Sequence, residues 1–233
     1  MVDPSIKIAK NNYSLTLFYL QIVKLHTSFG GSIELIKKGY GVDAMIIVRS
    51  MLNNLINCKW IMSSKQKTKA KNFIKYNFVL RKRFLDIAKE YPKQKSHFLK
   101  ILTEEKEIIS SYKKVEELFT KDINKWSGIS IKRMAKEANL GWDYDFIYNL
   151  ASSLEHSDIT SLNQHIESID DANKLFRFKG GPSTSYIMES GIAAIKYMGE
   201  GTELFIKVFK LNKTHKNKLL KFARRVSKTL KKD

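Results

Sequence analysis

The sequence predicts an all-α protein, and three observations predict it. Only 11 Gly and 3 Pro stand among 233 residues, too few turn-formers for a fold built from many hairpins. Apolar residues recur at helical spacing along most of the chain, and no run alternates convincingly as a strand would. Hydrophobic residues make up 43% and charged residues 28%, which marks a globular chain rather than a disordered one. The expected architecture is a single helical bundle over residues 1–206 with a basic C-terminal helix, 207–233, docked on it.

Taken in order, Ser5 to Phe29 carries a broad apolar face compatible with a helix, which Gly30 and Gly31 are expected to interrupt. Ser32 then offers a cap for a short helix through Lys38, stopped by Gly39 and Gly41. Residues 43–63 are apolar nearly all round, from Ala44, Met45 and Val48 to Leu55, Ile56 and Ile61. Such a helix belongs at the centre of a bundle. Residues 65–91 and 93–120 read as two long helices joined at Tyr91-Pro92, with lysines on their outer faces. Ser130 caps a short helix that Asn139 and Gly141 end. Asp143 opens another reaching about His156. Residues 157–184 read as a long loop, and helix returns from Ser185 to about Lys210 and again after Asn212.

Cys58 is the only cysteine, which excludes an intrachain disulfide framework and an all-Cys zinc site. The apolar stretches 13–29 and 42–62 each contain charged or ionisable residues, Lys24 with His26 and Arg49 with Lys59, so no membrane span is expected. The first residues lack the layout of a signal peptide, and a cytoplasmic location is expected. No cofactor motif is present. Lys179-Gly180-Gly181-Pro182-Ser183 could cradle a phosphate, yet it lacks the Walker pattern and reads more simply as a turn plus cap. His156, Asp158, His165 and Glu167 have no recognised metal-ligand spacing, and no metal is assigned to them. A helix-turn-helix over 131–150 would open its second helix with Asp143 and Asp145, which repel a phosphate backbone.

The formal net charge of +19 is unevenly spread. Residues 65–125 hold 17 basic and 8 acidic side chains, residues 126–206 hold 7 and 11, and residues 207–233 hold 11 and 1. Polarity of this kind attracts a polyanion or an acidic protein surface. In the basic end, Leu204, Val208, Leu211, Leu219, Phe222, Val226 and Leu230 form an apolar stripe. Lys213, Lys216, Lys218, Lys221, Arg224, Arg225 and Lys228 occupy the remaining surface. With few aromatics among them, these cations are candidates for contact with phosphates rather than bases.

Two constellations could carry chemistry. Arg49, Asn53 and Asn57, at i, i+4 and i+8, form one polar stripe on the apolar central helix. A buried guanidinium must meet a carboxylate, carbonyls or a ligand anion, and Glu34, Glu155 and Asp158 are the candidate acids. The second constellation is Trp142–Asp158. On a helix, Tyr144, Tyr148, Ser152 and His156 would line one face, with Ser152 and His156 one turn apart. A structural arginine and a helix-capping histidine are the plain alternatives.

Together these pieces resemble a mostly bacterial helical family, domain of unknown function 5677. The resemblance covers about residues 30–165: Lys38-Gly39, Arg49-Ser50 on an apolar helix, Trp126-x-Gly128, Arg133-Met134-Ala135, and Tyr148-x-x-x-Ser152-x-x-x-His156. Two positions depart from its pattern: Asn53 stands where an acid is common, and Asn149 where an arginine often follows the tyrosine. That family is distantly similar to the HEPN superfamily of helical bundles, many of them metal-independent ribonucleases of toxin–antitoxin and antiphage systems. The resemblance implies an arginine separated from the histidine by four to six intervening residues, which here falls on Asn149, Leu150 or Ala151.

The expected function is therefore a HEPN-like bacterial protein that acts on or binds RNA, with Arg49, Ser152 and His156 as candidate catalytic residues and Asn53, Asn57 and Tyr148 beside them. A homodimer is left open. The alternative is an inert helical module that holds nucleic acid or an acidic protein through its basic end.

Overall fold

The computed structural model describes residues 8, 9, 11–94, 96–119, 125–156, 159–163, 165–170, 175–211 and 217. The fold is all-α, with one short antiparallel ribbon. The elements are α1 (Tyr13–Lys37), α2 (Gly41–Met62), α3 (Gln66–Glu90), α4 (Leu99–Thr103), α5 (Glu105–Lys113), α6 (Ile131–Glu137), α7 (Gly141–Asp143), α8 (Asn149–Glu155), α9 (Ile159–Asn163), β1 (Ile166–Asp170), β2 (Leu175–Phe178) and α10 (Ile187–Val208). Contacts sort the chain into two compact units. The first joins Met1–Leu17 to Ile61–Arg133, and the second joins Phe18–Trp60 to Met134–Asp233.

In the second unit, α2 is the central helix that its composition predicts. Ala44, Met45, Val48, Met51, Leu52, Leu55 and Ile56 are all fully buried. Alongside it, α1 runs unbroken through Gly30 and Gly31, contrary to the expected interruption. Each glycine costs about 1 kcal/mol against alanine within a helix, too little to break one already held by tertiary packing. Ser32 is not a cap there. Its buried hydroxyl donates to the Phe29 carbonyl at 2.8 Å, inside the helix.

Two glycines of this unit are required by close approach. A Cβ on Gly41 would lie 2.2 Å from the Ser185 carbonyl oxygen, so the start of α2 is pressed against the chain entering α10. Gly39 takes φ +80°, and its carbonyl accepts from the Ser183 amide at 2.8 Å. At the other end of α10, Gly201 lets the helix close on Leu25 of α1, and Phe18 and Tyr19 pack on Phe205 and Phe209.

The predicted helix from Asp143 to His156 is present but not uniform. Between α7 and α8, Tyr144–Tyr148 forms a π-helical stretch, a one-turn widening frequent at functional positions. Residues 157–184 are more structured than the expected loop. Among the described ones, α9 is followed by β1 and β2, paired from Ile166↔Phe178 to Asp170↔Leu175 with a register shift between Ile166 and Ser168. These strands are only five and four residues long, too short for alternation to register as a pattern.

In the first unit α3 matches its prediction, and the expected second long helix does not form. Pro92–Gln94 makes a 3-10 turn, α4 and α5 are short, and Glu116–Phe119 is a second 3-10 turn. The segment folds back on α3. Val79, Val115 and Phe119 form a buried cluster with Tyr76, Phe78 and Tyr112 packed on it. Arg81 pairs with Glu104, and Lys89 pairs with Glu105 at 2.5 Å. Phe73 and Trp126 meet edge to face, with centroids 4.7 Å apart.

Candidate functional site

The second unit brings Arg49 of α2 to the segment Tyr144–His156. The α7–π–α8 segment buries Asp143, Ile147, Ala151 and Leu154, which leaves Tyr144, Tyr148 and Ser152 half-buried at its edge and His156 exposed at its end. Tyr144 and Tyr148 stack at 4.5 Å with their planes 17° apart, so the widened turn keeps them neighbours.

Arg49 is held from three directions. One terminal nitrogen pairs with the Glu155 carboxylate. The other donates to the Tyr148 hydroxyl at 3.1 Å, and the guanidinium lies 4.6 Å from that ring's centroid. Its Nε is buried with no partner among the described residues. The arginine side chain is 19% exposed and the carboxylate 42%, so this pair sits at the edge of the core with one side open to solvent. Of the three candidate acids, Glu155 takes the role. Glu34 is tied to Lys37, whose ammonium lowers its pKa by hydrogen bond and charge, and Asp158 lies outside the described residues.

Asn53 and Asn57 continue the stripe, both half-buried, and the Asn57 Oδ1 has no partner among the described residues. Asn54, one position away, is more deeply buried than either, with an unpartnered Nδ2. Ser152 and His156 are joined only through the backbone, the His156 amide donating to the Ser152 carbonyl at 3.0 Å. Among the described residues no side-chain hydrogen bond links them as nucleophile and base. His156 adjoins Glu155, which puts the imidazole one residue from the carboxylate that holds Arg49.

A network absent from the sequence reading lies on the buried side. The Asp143 carboxylate accepts from Lys196 Nζ at 2.6 Å and from the buried Tyr197 hydroxyl at 3.1 Å. Burial first, then the Asp143 charge, raises the Tyr197 pKa well above the ordinary phenol value. A separation of 53 residues between Asp143 and Lys196 gives no local signal for this pairing.

Asn149, which stands where the resembled ribonucleases imply an arginine, turns its amide back to the Asp145 carbonyl at 3.0 Å. The Lys179–Ser183 loop lines a small cavity of about 110 Å³ with Gly39, Asp43 and His165. Its Lys179 and Ser183 amides are already spent on His165 and Gly39. Among the described residues, no three His, Cys, Asp or Glu gather as metal ligands, and no helix is long and apolar enough to cross a membrane. The cationic positions 213–228 lie outside the described residues.

Residues 16–174 match the model of a family of unknown function, DUF5677, over more than half the chain. The chain belongs to that family. No curated protein and no solved structure matches it. Within the DUF5677 match fall α2 with Arg49 and the whole Tyr144–His156 segment, whereas α10 with Lys196 and Tyr197 falls outside it.

Proposed function

We propose that this DUF5677 chain is a HEPN-like bacterial protein that acts on RNA without a metal, through Arg49 and His156. The observation that carries the proposal is the Arg49–Glu155 pair. It brings a cation from α2 to the residue beside His156, and so compensates for the missing arginine at 149–151. Two chemical roles follow. His156, exposed at the end of α8, assists removal of the ribose 2′-hydroxyl proton. Arg49, once Glu155 yields it, stabilises charge on the phosphate under attack.

The test is cleavage of a labelled RNA in the presence of EDTA. His156→Ala should abolish cleavage and Arg49→Ala should nearly do so. Full activity in His156→Ala, or cleavage that EDTA stops, would overturn the mechanism.

A second reading has its own observation in favour. Glu155 already neutralises Arg49, and Asn149 is satisfied by its own helix, so the site is electrostatically closed in this state. On that reading the chain is an inert module in a defence or toxin–antitoxin setting, holding RNA or an acidic protein through residues 213–228. Wild-type protein that binds RNA but cleaves none would favour it.

A further inference from the structure

Resting on the RNA-directed reading, we propose that the cleft between α3 and α4 is a binding surface for single-stranded RNA. Its bases stack on Phe84 and Tyr91, and its phosphates meet Lys93 and Lys100.

The first support is the pattern of α3. One face of this helix buries Ala70, Val79, Leu85 and Ala88 in its own unit. A second apolar face, with Leu80, Phe84, Ile87 and Tyr91 at steps of four, three and four, lies open. Phe84 is 56% exposed and Tyr91 54%, an expensive display of aromatic surface if nothing covers it. Phe84 and Arg81 form one wall of a cavity of about 310 Å³, and His97, Phe98 and Lys100 contribute the other.

Charge selects the occupant. Most of the cations in this unit that lie near carboxylates are used: Arg81 by Glu104, Lys82 by Asp86, Lys89 by Glu105. Lys100 lines the cleft and Lys93 lies in the 3-10 turn that follows α3; both are exposed, and neither has a carboxylate partner among the described residues. On α5, a second concavity of about 580 Å³ is lined by Lys106, Lys113 and Lys114. The sequence over 65–125 holds 17 basic and 8 acidic residues, so the field of this unit favours a polyanion. Open aromatic rings beside unpaired cations suit a strand whose bases are free to stack. A duplex keeps the faces of its bases covered.

The experiment is fluorescence anisotropy on the full chain with a labelled oligouridylate, an RNA duplex of equal length, and polyglutamate as competitor. Phe84→Ala and Tyr91→Ala should each weaken oligouridylate binding roughly tenfold or more, leave duplex binding unchanged, and retain the helical circular dichroism spectrum. Phe84→Trp, which keeps a stacking face, should bind as the wild type does. Lys100→Glu should lower the salt slope by about one.

If the wild type binds oligouridylate and neither alanine variant differs from it, this surface falls and the RNA reading stands on another site. Cleavage of RNA without oligouridylate binding has the same meaning. Wild-type chain that neither binds nor cleaves RNA overturns both. Displacement by polyglutamate that depends on Phe84 would make the occupant an acidic peptide, and this proposal would be wrong.

Discussion

Arg49 and Tyr148, 99 residues apart in sequence, meet twice: the guanidinium donates to the phenol oxygen and lies over the same ring. The tyrosine thus steers the arginine, while Glu155 balances its charge. Tyr148→Phe removes the hydrogen bond and keeps the ring, and should cost about 1–2 kcal/mol, a bond to a charged group being worth more than a neutral one. Glu155→Ala leaves a partly buried cation without its counter-charge and should cost more, about 2–3 kcal/mol. Urea unfolding checks both, read as a lower midpoint at unchanged slope.

The same pair makes a prediction about rate. Glu155→Gln retains a hydrogen-bonding side chain but removes the negative charge that competes with a phosphate for Arg49. If Arg49 serves RNA chemistry, cleavage in EDTA should rise several-fold in this variant. A rate equal to or below wild type would remove Arg49 from the reaction.

Glycine substitutions should divide by what surrounds each position. Gly30 in α1 has open space where a Cβ would go, so Gly30→Ala should stabilise by about 0.5–1 kcal/mol. Gly41→Ala should destabilise by at least about 2 kcal/mol, because the methyl meets backbone at Ser185 and Ile187. Gly201→Ala should fall between them, since the atom met first is the end of the Leu25 side chain. Thermal melts followed at 222 nm rank the three.

Burial pushes the Cys58 thiol up to about 12 from 9.0. The thiol should therefore resist alkylation at pH 8 in the folded chain and react after denaturation. The linkage has a definite sign. A raised folded pKa means that the unfolded chain loses this proton first, so the stability is complete below pH 9 and falls as pH rises toward 12. The slope should be about 1.4 kcal/mol per pH unit, and Cys58→Ala should remove it from the alkaline limb of a stability profile.

Residues 207–233 carry 11 basic groups and one acid. Lys221→Glu, Arg224→Glu and Lys228→Glu together leave the apolar positions untouched. They should weaken RNA binding and flatten its salt dependence. Unchanged affinity at low salt would show that these residues do not contact the polyanion.

How far the sequence reaches is visible residue by residue. The place of α2 follows from its composition, because a helix apolar on every side has nowhere else to go. Arg49 on that helix had to find an acid, and Glu155 is one of the three candidates, with Glu34 and Asp158. The Ser130 cap and the turn at Asn139, with φ 57°, were equally readable, since both are local. What failed was non-local. Nothing near Gly30 says that its surroundings are open, and nothing near Asp143 points to Lys196. The ribbon at 166–178 is made by pairing between two short segments, not by a pattern within either strand. The spacing Tyr148–Ser152–His156 was legible as a face, but the exposure of its histidine end was not.

The interleaving of the two units has a consequence for biosynthesis. Phe18–Trp60 must wait for Met134–Asp233 before its unit can close, because the chain first makes all of Ile61–Arg133. The deeply buried central helix α2 therefore leaves the ribosome with only α1 for cover. At ordinary elongation rates, α10, which supplies Tyr197 and the contact at Gly201, follows roughly ten to thirty seconds later. During that interval α2 is an exposed apolar surface, a client for holdase chaperones and a seed for aggregation. The first unit, whose helices α3 to α5 are local to one another, can fold in the meantime.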